Sequence, residues 1–143
     1  MHCSGDIRLQ LSGRSRASGF TLIELMITVA VLALLVAIAY PAYQQQVMRG
    51  RRSSAKAAMM DIANREQQYL LATRGYADTA SLQATGYAVP ADVTDFYTWA
   101  VAAPAAAVPT YTITFTPIGP QTADGALTLD QAGNRQPLAK WDQ

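Results

Sequence analysis

The stretch that most constrains this chain runs from Phe20 to Tyr40, 21 residues in which Glu24 is the one charge. As a helix it spans about 30 Å, the thickness of a bilayer's hydrocarbon core. Leu, Ile, Val and Ala occupy every side of it, so it lacks the polar face of a helix half-buried on a soluble domain. A membrane span is the first reading. Two details set it apart from an ordinary signal anchor. Glu24 lies early in the apolar run, and a charge costs about 2.5–3.5 kcal/mol at the centre of such a helix and less near the interface, so its presence suggests a role. Gly19-Phe20, a small residue and then an aromatic one, stands before the apolar segment, whereas a secretory signal peptide is cut after its apolar region. A cut at Gly19-Phe20 keeps the helix.

The run GFTLIEL resembles the type III signal of type IV prepilins, and Pro41 falls where their helix commonly carries a proline. The resemblance implies that a prepilin peptidase on the cytoplasmic side cuts between Gly19 and Phe20 and methylates the new amino group of Phe20. It assigns filament assembly to Phe20, Glu24 and Pro41. It divides the chain into a leader over 1–19, a transmembrane and polymerisation helix over 20–41, an amphipathic second half of that helix over 42–74, and a periplasmic head over 75–143.

The leader carries Arg8, Arg14 and Arg16 against Asp6, a net of +2, so with +1 overall the chain from Phe20 onward stands at −1. Such a balance implies no strong pull toward nucleic acid or acidic lipid. Arg14 and Arg16 beside the span favour a cytoplasmic N-terminus. Cys3 lacks the small and apolar residues that precede a lipidated cysteine and reads as part of the discarded leader. Removing the leader removes the one Cys and the one His, and leaves Ser53, Ser54 and Ser81 as the serines. No Ser-His-Asp or Cys-His site can then be built, nor a zinc site on Cys or His. No phosphate-cradling glycine motif occurs either. Asp92 with Asp95 is the nearest carboxylate pair, and it reads as capping or solvating a loop. No catalytic, cofactor or metal-binding residue is expected.

Proline at 41 lacks the amide that bonds one turn back, so a kink rather than an end is expected there. Beyond it Ala55, Ala58, Met59, Ile62 and Tyr69 recur at helical spacing, with Arg52, Lys56, Asp61, Arg65 and Glu66 filling the other faces. Gly50 is a soft point, and Thr73-Arg74-Gly75 is the expected stop. Arg49, Arg51, Arg52 and Lys56 read as the helix emerging among lipid headgroups, with Tyr40 and Tyr43 in the aromatic belt.

From Tyr76 to about Asp95 no period is sustained, which predicts a connecting loop with a short helical turn; in the pilin resemblance it is the αβ-loop. The period then becomes two. Tyr97, Trp99 and Val101 alternate with Thr98 and Ala100, the run Ala102 to Pro109 interrupts, and Tyr111, Ile113 and Phe115 alternate with threonines. Leu127 and Leu129 form a third run, and Gly133-Asn134 supplies a turn into a fourth segment ending near Leu138. The predicted fold is α+β, a long N-terminal helix packed through Met59, Ile62 and Tyr69 on an antiparallel sheet of about four strands.

TYTITFTPIG, GALTLDQAGN and the near-terminal Trp141 resemble the PilE-like minor pilins, a subgroup of type IVa pilins. That subgroup usually closes a disulfide loop before the Leu-Thr-Leu strand and before the terminal Trp, where this chain has Asp124 and Lys140. An exposed ion pair between them, with Trp141 packed on the sheet, is the expected substitute. The implied function is that of a minor pilus subunit, held in the inner membrane with its head in the periplasm and then assembled into a surface fibre. Twitching motility, adhesion or DNA uptake would be served by it. The implied partners are other pilins, the prepilin peptidase and the inner-membrane assembly platform. Direct binding of nucleic acid is not expected, because beyond Gly75 the head has only Arg135 and Lys140 as cations. The alternatives are a pseudopilin of type II secretion, which shares the N-terminal motif, and a signal-anchored periplasmic binding protein or enzyme.

Overall fold

A computed structural model describes residues 19–142 of the chain; the expected leader over Met1–Ser18, Cys3 included, lies outside the described residues. Two compact units meet between Ala39 and Tyr40. In the first, helix α1 (Leu22–Thr73) begins, and its large apolar side chains from Leu22 to Ile38 are exposed. Glu24 lies in its first turn. The helix is unbroken through Pro41 and runs 52 residues in all.

In the second unit α1 buries a stripe made of Arg52, Ala55, Ala58, Met59, Ile62 and Glu66. The spacing is that of a helix face, but its ends are charged. The sequence pattern assigned Arg52 and Glu66 to the wet faces, and both are in fact buried. Helix α1 stops where expected. Thr73 Oγ1 donates back to the Tyr69 carbonyl at 2.8 Å, and the amide of Arg74 donates to the Leu70 carbonyl at 2.8 Å. It is Arg74, at φ +59°, rather than Gly75 that takes the left-handed conformation closing the last turn.

The following segment is more ordered than its sequence implied. It forms helices α2 (Thr79–Ala84) and α3 (Ala91–Thr94), and Asp78 caps α2 by accepting from the Ser81 amide at 2.8 Å. Leu82, Tyr87, Val89 and Val93 send side chains into the core. Asp92 lies in the first turn of α3 and Asp95 at its C-terminal end, both exposed.

Four strands follow: β1 (Tyr97–Ala102), β2 (Thr112–Pro117), β3 (Leu127–Asp130) and β4 (Arg135–Gln136), in the order β1-β2-β3-β4 and antiparallel throughout. Trp99 is opposite Phe115, Phe115 opposite Leu127, and Ile113 opposite Leu129. The period-two pattern is thus realised: Tyr97, Val101, Ile113, Phe115, Leu127 and Leu129 are buried while Thr98, Thr112 and Thr116 face water. The inward face packs with Ala55, Met59 and Ile62 of α1 in one core. Fully burying a side chain such as Phe115 or Ile62 contributes about 1.5–3 kcal/mol.

The last strand is shorter than predicted. It ends at Gln136 because Pro137 has no amide to donate, and Leu138–Trp141 coils into helix α4 instead of extending the sheet. At the β3–β4 turn Gly133 supplies φ +80°, and Asp130 accepts from the amides of Ala132 and Asn134, each at 2.9 Å. A 3-10 helix, Gly119–Asp124, connects β2 to β3 and delivers Gln121 and Asp124 into the interior.

Candidate functional site

Two places carry the residues singled out from the sequence. At the N-terminal end, Gly19 and Phe20 precede the helix and are exposed. Thr21 caps it: its Oγ1 accepts the amide of Glu24 at 3.2 Å, and the Leu25 amide reaches the Thr21 carbonyl at 3.2 Å. Thr21-Leu-Ile-Glu24 has the spacing of a capping box, and a carboxylate in the first turn also meets the positive end of the helix dipole. The Thr-x-x-Glu signal was legible in the sequence, yet the reading of Glu24 there rested on its depth in the apolar run and on the prepilin resemblance. Pro41 sits within α1, flanked by exposed Tyr40 and Tyr43.

At the C-terminal end the expected pairing of Asp124 with Lys140 is found, but in a different setting. Asp124 is buried, so the pair is not an exposed one. Lys140 Nζ donates to Asp124 Oδ1 at 3.2 Å and also to the Asp124 carbonyl. The principal partner is Arg52 of α1, whose Nε donates to Oδ2 at 3.0 Å and whose terminal nitrogen donates to Oδ1. Tyr97 donates its hydroxyl to Oδ2 at 2.8 Å, and Gln121 Nε2 reaches Oδ2 at 3.3 Å, the Tyr97 oxygen at 3.0 Å and the Met48 carbonyl at 3.0 Å. Burial pushes the Asp124 carboxyl up, but hydrogen bonds from Arg52, Tyr97 and Lys140 and the Arg52 charge outweigh it and hold the group at about 2. Burial, and then donation to Asp124, push the Tyr97 hydroxyl upward. Arg52 is in helical phase with Ala55 and Met59, but sequence reasoning assigned it to a wet face because a charge at such a position is marked as inward only by a partner.

Around this centre the cations of α1 meet those of the C-terminus. Lys56 Nζ donates to the Trp141 carbonyl at 3.1 Å and lies 5.8 Å from the Trp141 ring, while the Arg135 guanidinium lies 5.2 Å from the same ring. Burial, then the Arg52 charge, lower the pKa of Lys56, with Arg135 adding a smaller push in the same direction. Arg52 and Lys56 therefore belong to the head, not to the headgroup layer expected for them. Arg51 stacks on Phe96 at 3.6 Å and, with Tyr40, Tyr43, Gln44, Val47, Met48 and Pro120, lines a groove of about 260 Å³.

At the far end of the α1 stripe Glu66 Oε2 accepts the Ala77 amide at 2.8 Å, while its other oxygen is buried without a hydrogen bond. Burial raises its pKa, against that bond. Among the described residues no group of three His, Cys, Asp or Glu side chains is placed to hold a metal ion.

The family model of the type IV minor pilin ComP, DNA uptake sequence receptor, matches residues 41–129. The chain belongs to this family of type IV minor pilins. A model of the prokaryotic N-terminal methylation motif matches residues 14–40, which takes in Gly19, Phe20 and Glu24. Shorter likenesses fall on the N-terminal part. One is 60% identical over 37 residues to the fimbrial protein EcpC of Eikenella corrodens, covering 26% of this chain and 24% of that protein. Another is 57% identical over 37 residues to a fimbrial protein of Moraxella nonliquefaciens, with the same shares. A third is 52% identical over 40 residues to the type IV major fimbrial protein FimA of Dichelobacter nodosus, covering 28% of this chain and 26% of that one. The pilin's resemblance to these fimbrial subunits thus spans about a quarter of their length.

Proposed function

We propose that this pilin is a minor subunit of a type IV pilus, cut between Gly19 and Phe20, methylated on Phe20 and polymerised through α1. The observation that carries the reading is one continuous helix whose first part exposes apolar side chains on all sides while its second part belongs to the core of a head matched by the minor-pilin family. Before assembly the first part spans the inner membrane with the head in the periplasm; in the fibre it meets the helices of other pilins. The prepilin peptidase and the assembly platform are the partners this requires. The match over the head favours a pilus subunit over a secretion pseudopilin or a signal-anchored enzyme. In this reading Asp124 and Lys140, joined by Arg52, take the place of the subgroup's disulfide. Mass spectrometry of fibres sheared from cells tests it. Native fibres should contain the chain with methylated Phe20 at its N-terminus, Gly19→Val should keep the leader, and Glu24→Ala should be cut normally yet enter fibres poorly. Fibres lacking the chain, or a different mature N-terminus, would refute it.

A role in DNA uptake is the second reading, favoured by the family's description and by the gathering of Lys56 and Arg135 around Trp141. The expectation against nucleic acid rested on net charge and on the cations beyond Gly75, with Lys56 assigned to the headgroup layer; with Lys56 brought to the head beside exposed Arg135, this edge presents like charges beside an indole, a setting suited to phosphate. Titration of labelled duplex DNA against the detergent-solubilised chain should give binding that weakens steeply with salt. Lys56→Ala with Arg135→Ala should flatten that slope by about 1 for each phosphate no longer neutralised. Binding with unchanged slope in the double variant would place DNA elsewhere.

A further inference from the structure

The groove of about 260 Å³ beside Pro120 lies along one face of α1. Its helical lining falls at Tyr40, Tyr43, Gln44, Val47 and Arg51, intervals of three and four that make a single stripe about 16 Å long. Two exposed phenols stand at one end, Val47, Met48 and Pro120 supply an apolar wall, and Arg51 closes the other end. The Arg51 guanidinium lies over the Phe96 ring at 3.6 Å, and its donors enter no hydrogen bond or ion pair among the described residues. A guanidinium stacked by its face keeps its edge N–H groups free, and that edge matches the oxygens of a phosphate. Among the described residues no carboxylate lines the groove. It is therefore suited to an anion that carries an apolar portion. Its volume stands just below the range for whole small-molecule pockets, about 300–1,000 Å³, and so fits part of a ligand whose remainder lies elsewhere.

The remainder has a place because the groove begins where the apolar run ends, at Tyr40. A bilayer core takes about 20 residues of helix. Counted from Leu25, just past the charge of Glu24, those residues end at Gln44, which puts Tyr40 and Tyr43 at the aromatic belt. Headgroups add about 5–7 Å on each side of the core. Val47 and Met48 follow Gln44 by about 4.5 and 6 Å of helical rise, within that layer. Arg51 follows by about 10.5 Å, and helical side chains lean toward the N-terminus, here back toward the headgroups. The other cations of the cluster are placed differently. Arg49 stands about 160° around α1 from Arg51, away from the groove. Arg52 is engaged with Asp124, and Lys56 with the Trp141 carbonyl.

We propose that this groove seats one anionic glycerophospholipid of the periplasmic leaflet, its phosphate on Arg51 and the start of one acyl chain along Met48, Val47 and Tyr43. One seated guanidinium, not net charge, makes the site. The lipid holds the pilin at one depth in the bilayer until assembly withdraws it, so the inference rests on the membrane span of the proposed pilus role. The test is native mass spectrometry of the full-length chain, released from detergent micelles doped with equal amounts of phosphatidylglycerol and phosphatidylethanolamine. One phosphatidylglycerol should be retained in preference to phosphatidylethanolamine. Arg51→Ala, and Val47→Trp, which fills the groove with the cation in place, should each weaken retention at least about tenfold, while Arg49→Ala leaves it unchanged. Arg51→Lys keeps the charge, loses the planar fork and should fall between. Excess inorganic phosphate should not displace the lipid, because it has no chain to lay on the apolar wall. Circular dichroism checks that each variant folds. Equal loss in Arg49→Ala and Arg51→Ala, full retention by folded Val47→Trp or by Arg51→Lys and Arg51→Ala alike, or displacement by phosphate overturns the site. A chain that stays in membranes through an alkaline carbonate wash yet retains no lipid overturns the site alone and leaves the groove to a protein. Release of the chain by that wash counts against the membrane span, and with it the pilus role.

Discussion

Two buried carboxylates stand near opposite ends of the α1 stripe, and the protein treats them in opposite ways. Asp124 meets one end, where Arg52, Tyr97, Gln121 and Lys140 converge on it and hold it ionised. Glu66 is the other end, four helical turns from Arg52, with one amide bond and one orphan oxygen, and burial pulls it toward the neutral form. Equal depth therefore does not mean equal charge; donors decide. The C-terminal segment is tied to α1 through a complete ionic network, and the start of the 74–96 segment through a half-complete one. The first should behave as a fixed joint and the second as a weaker one.

The largest expected effect breaks the fixed joint. Asp124→Ala leaves the Arg52 guanidinium buried without its counter-charge and should cost about 3–5 kcal/mol, read as a fall in the denaturant midpoint by Trp fluorescence of the full chain in detergent. Adding Arg52→Met should recover at least half of that loss, since a buried charge without a partner is costlier than none. If Asp124→Ala costs less than about 1 kcal/mol, the network contributes no more than a surface pair and the contrast with Glu66 disappears.

Acid titration sharpens the contrast because the two groups act with opposite sign. Asp124 has a folded pKa below its ordinary 3.8, so its stabilisation is present above that value and is lost as pH falls toward about 2, some 2 kcal/mol in all. Glu66 has a folded pKa above its ordinary 4.5, so the stability it contributes is present below that value and is lost as pH rises through the folded pKa. Stability should climb from about pH 2 to 4 and then decline. Glu66→Gln should remove the decline and leave the climb, stabilising the head near neutral pH by up to about 1 kcal/mol. A Gln variant with the same decline would assign that limb to another group.

What was legible in the sequence follows from how each feature is encoded. The sheet was legible because Tyr97, Ile113, Phe115, Leu127 and Leu129 alternate with threonines, a pattern that only one face of a strand explains. The membrane-type half of α1 was legible from composition. The 76–95 segment was not, because α2 and α3 are too short to show a period and their order comes from Leu82, Tyr87, Val89 and Val93 meeting a core assembled by distant residues. Arg52 and Glu66 were misplaced for a related reason. A polar residue on the inward face is marked only by its partner, and the partners Asp124 and Ala77 lie 72 and 11 residues away. The resemblance to minor pilins that carry a disulfide pointed to Asp124 and Lys140, but two positions could not reveal that the network has a third charged member.

The smallest expected effect concerns Lys140, the residue that the sequence reading paired with Asp124. Its side chain is 29% exposed, against 2% for Asp124, so water screens it and replaces it readily. Lys140→Met should therefore cost about 0–1 kcal/mol, far below Asp124→Ala, because Arg52, Tyr97 and Gln121 still satisfy the carboxylate. The loss should fall on α4 rather than on the whole head, since Lys140 also holds the Asp124 carbonyl while Lys56 holds the Trp141 carbonyl. Hydrogen exchange by mass spectrometry resolves the two: faster exchange confined to residues 137–142 supports a latch on the last helix, whereas an effect as large as that of Asp124→Ala would make Lys140 an equal partner of Arg52 and the ranking drawn from burial wrong.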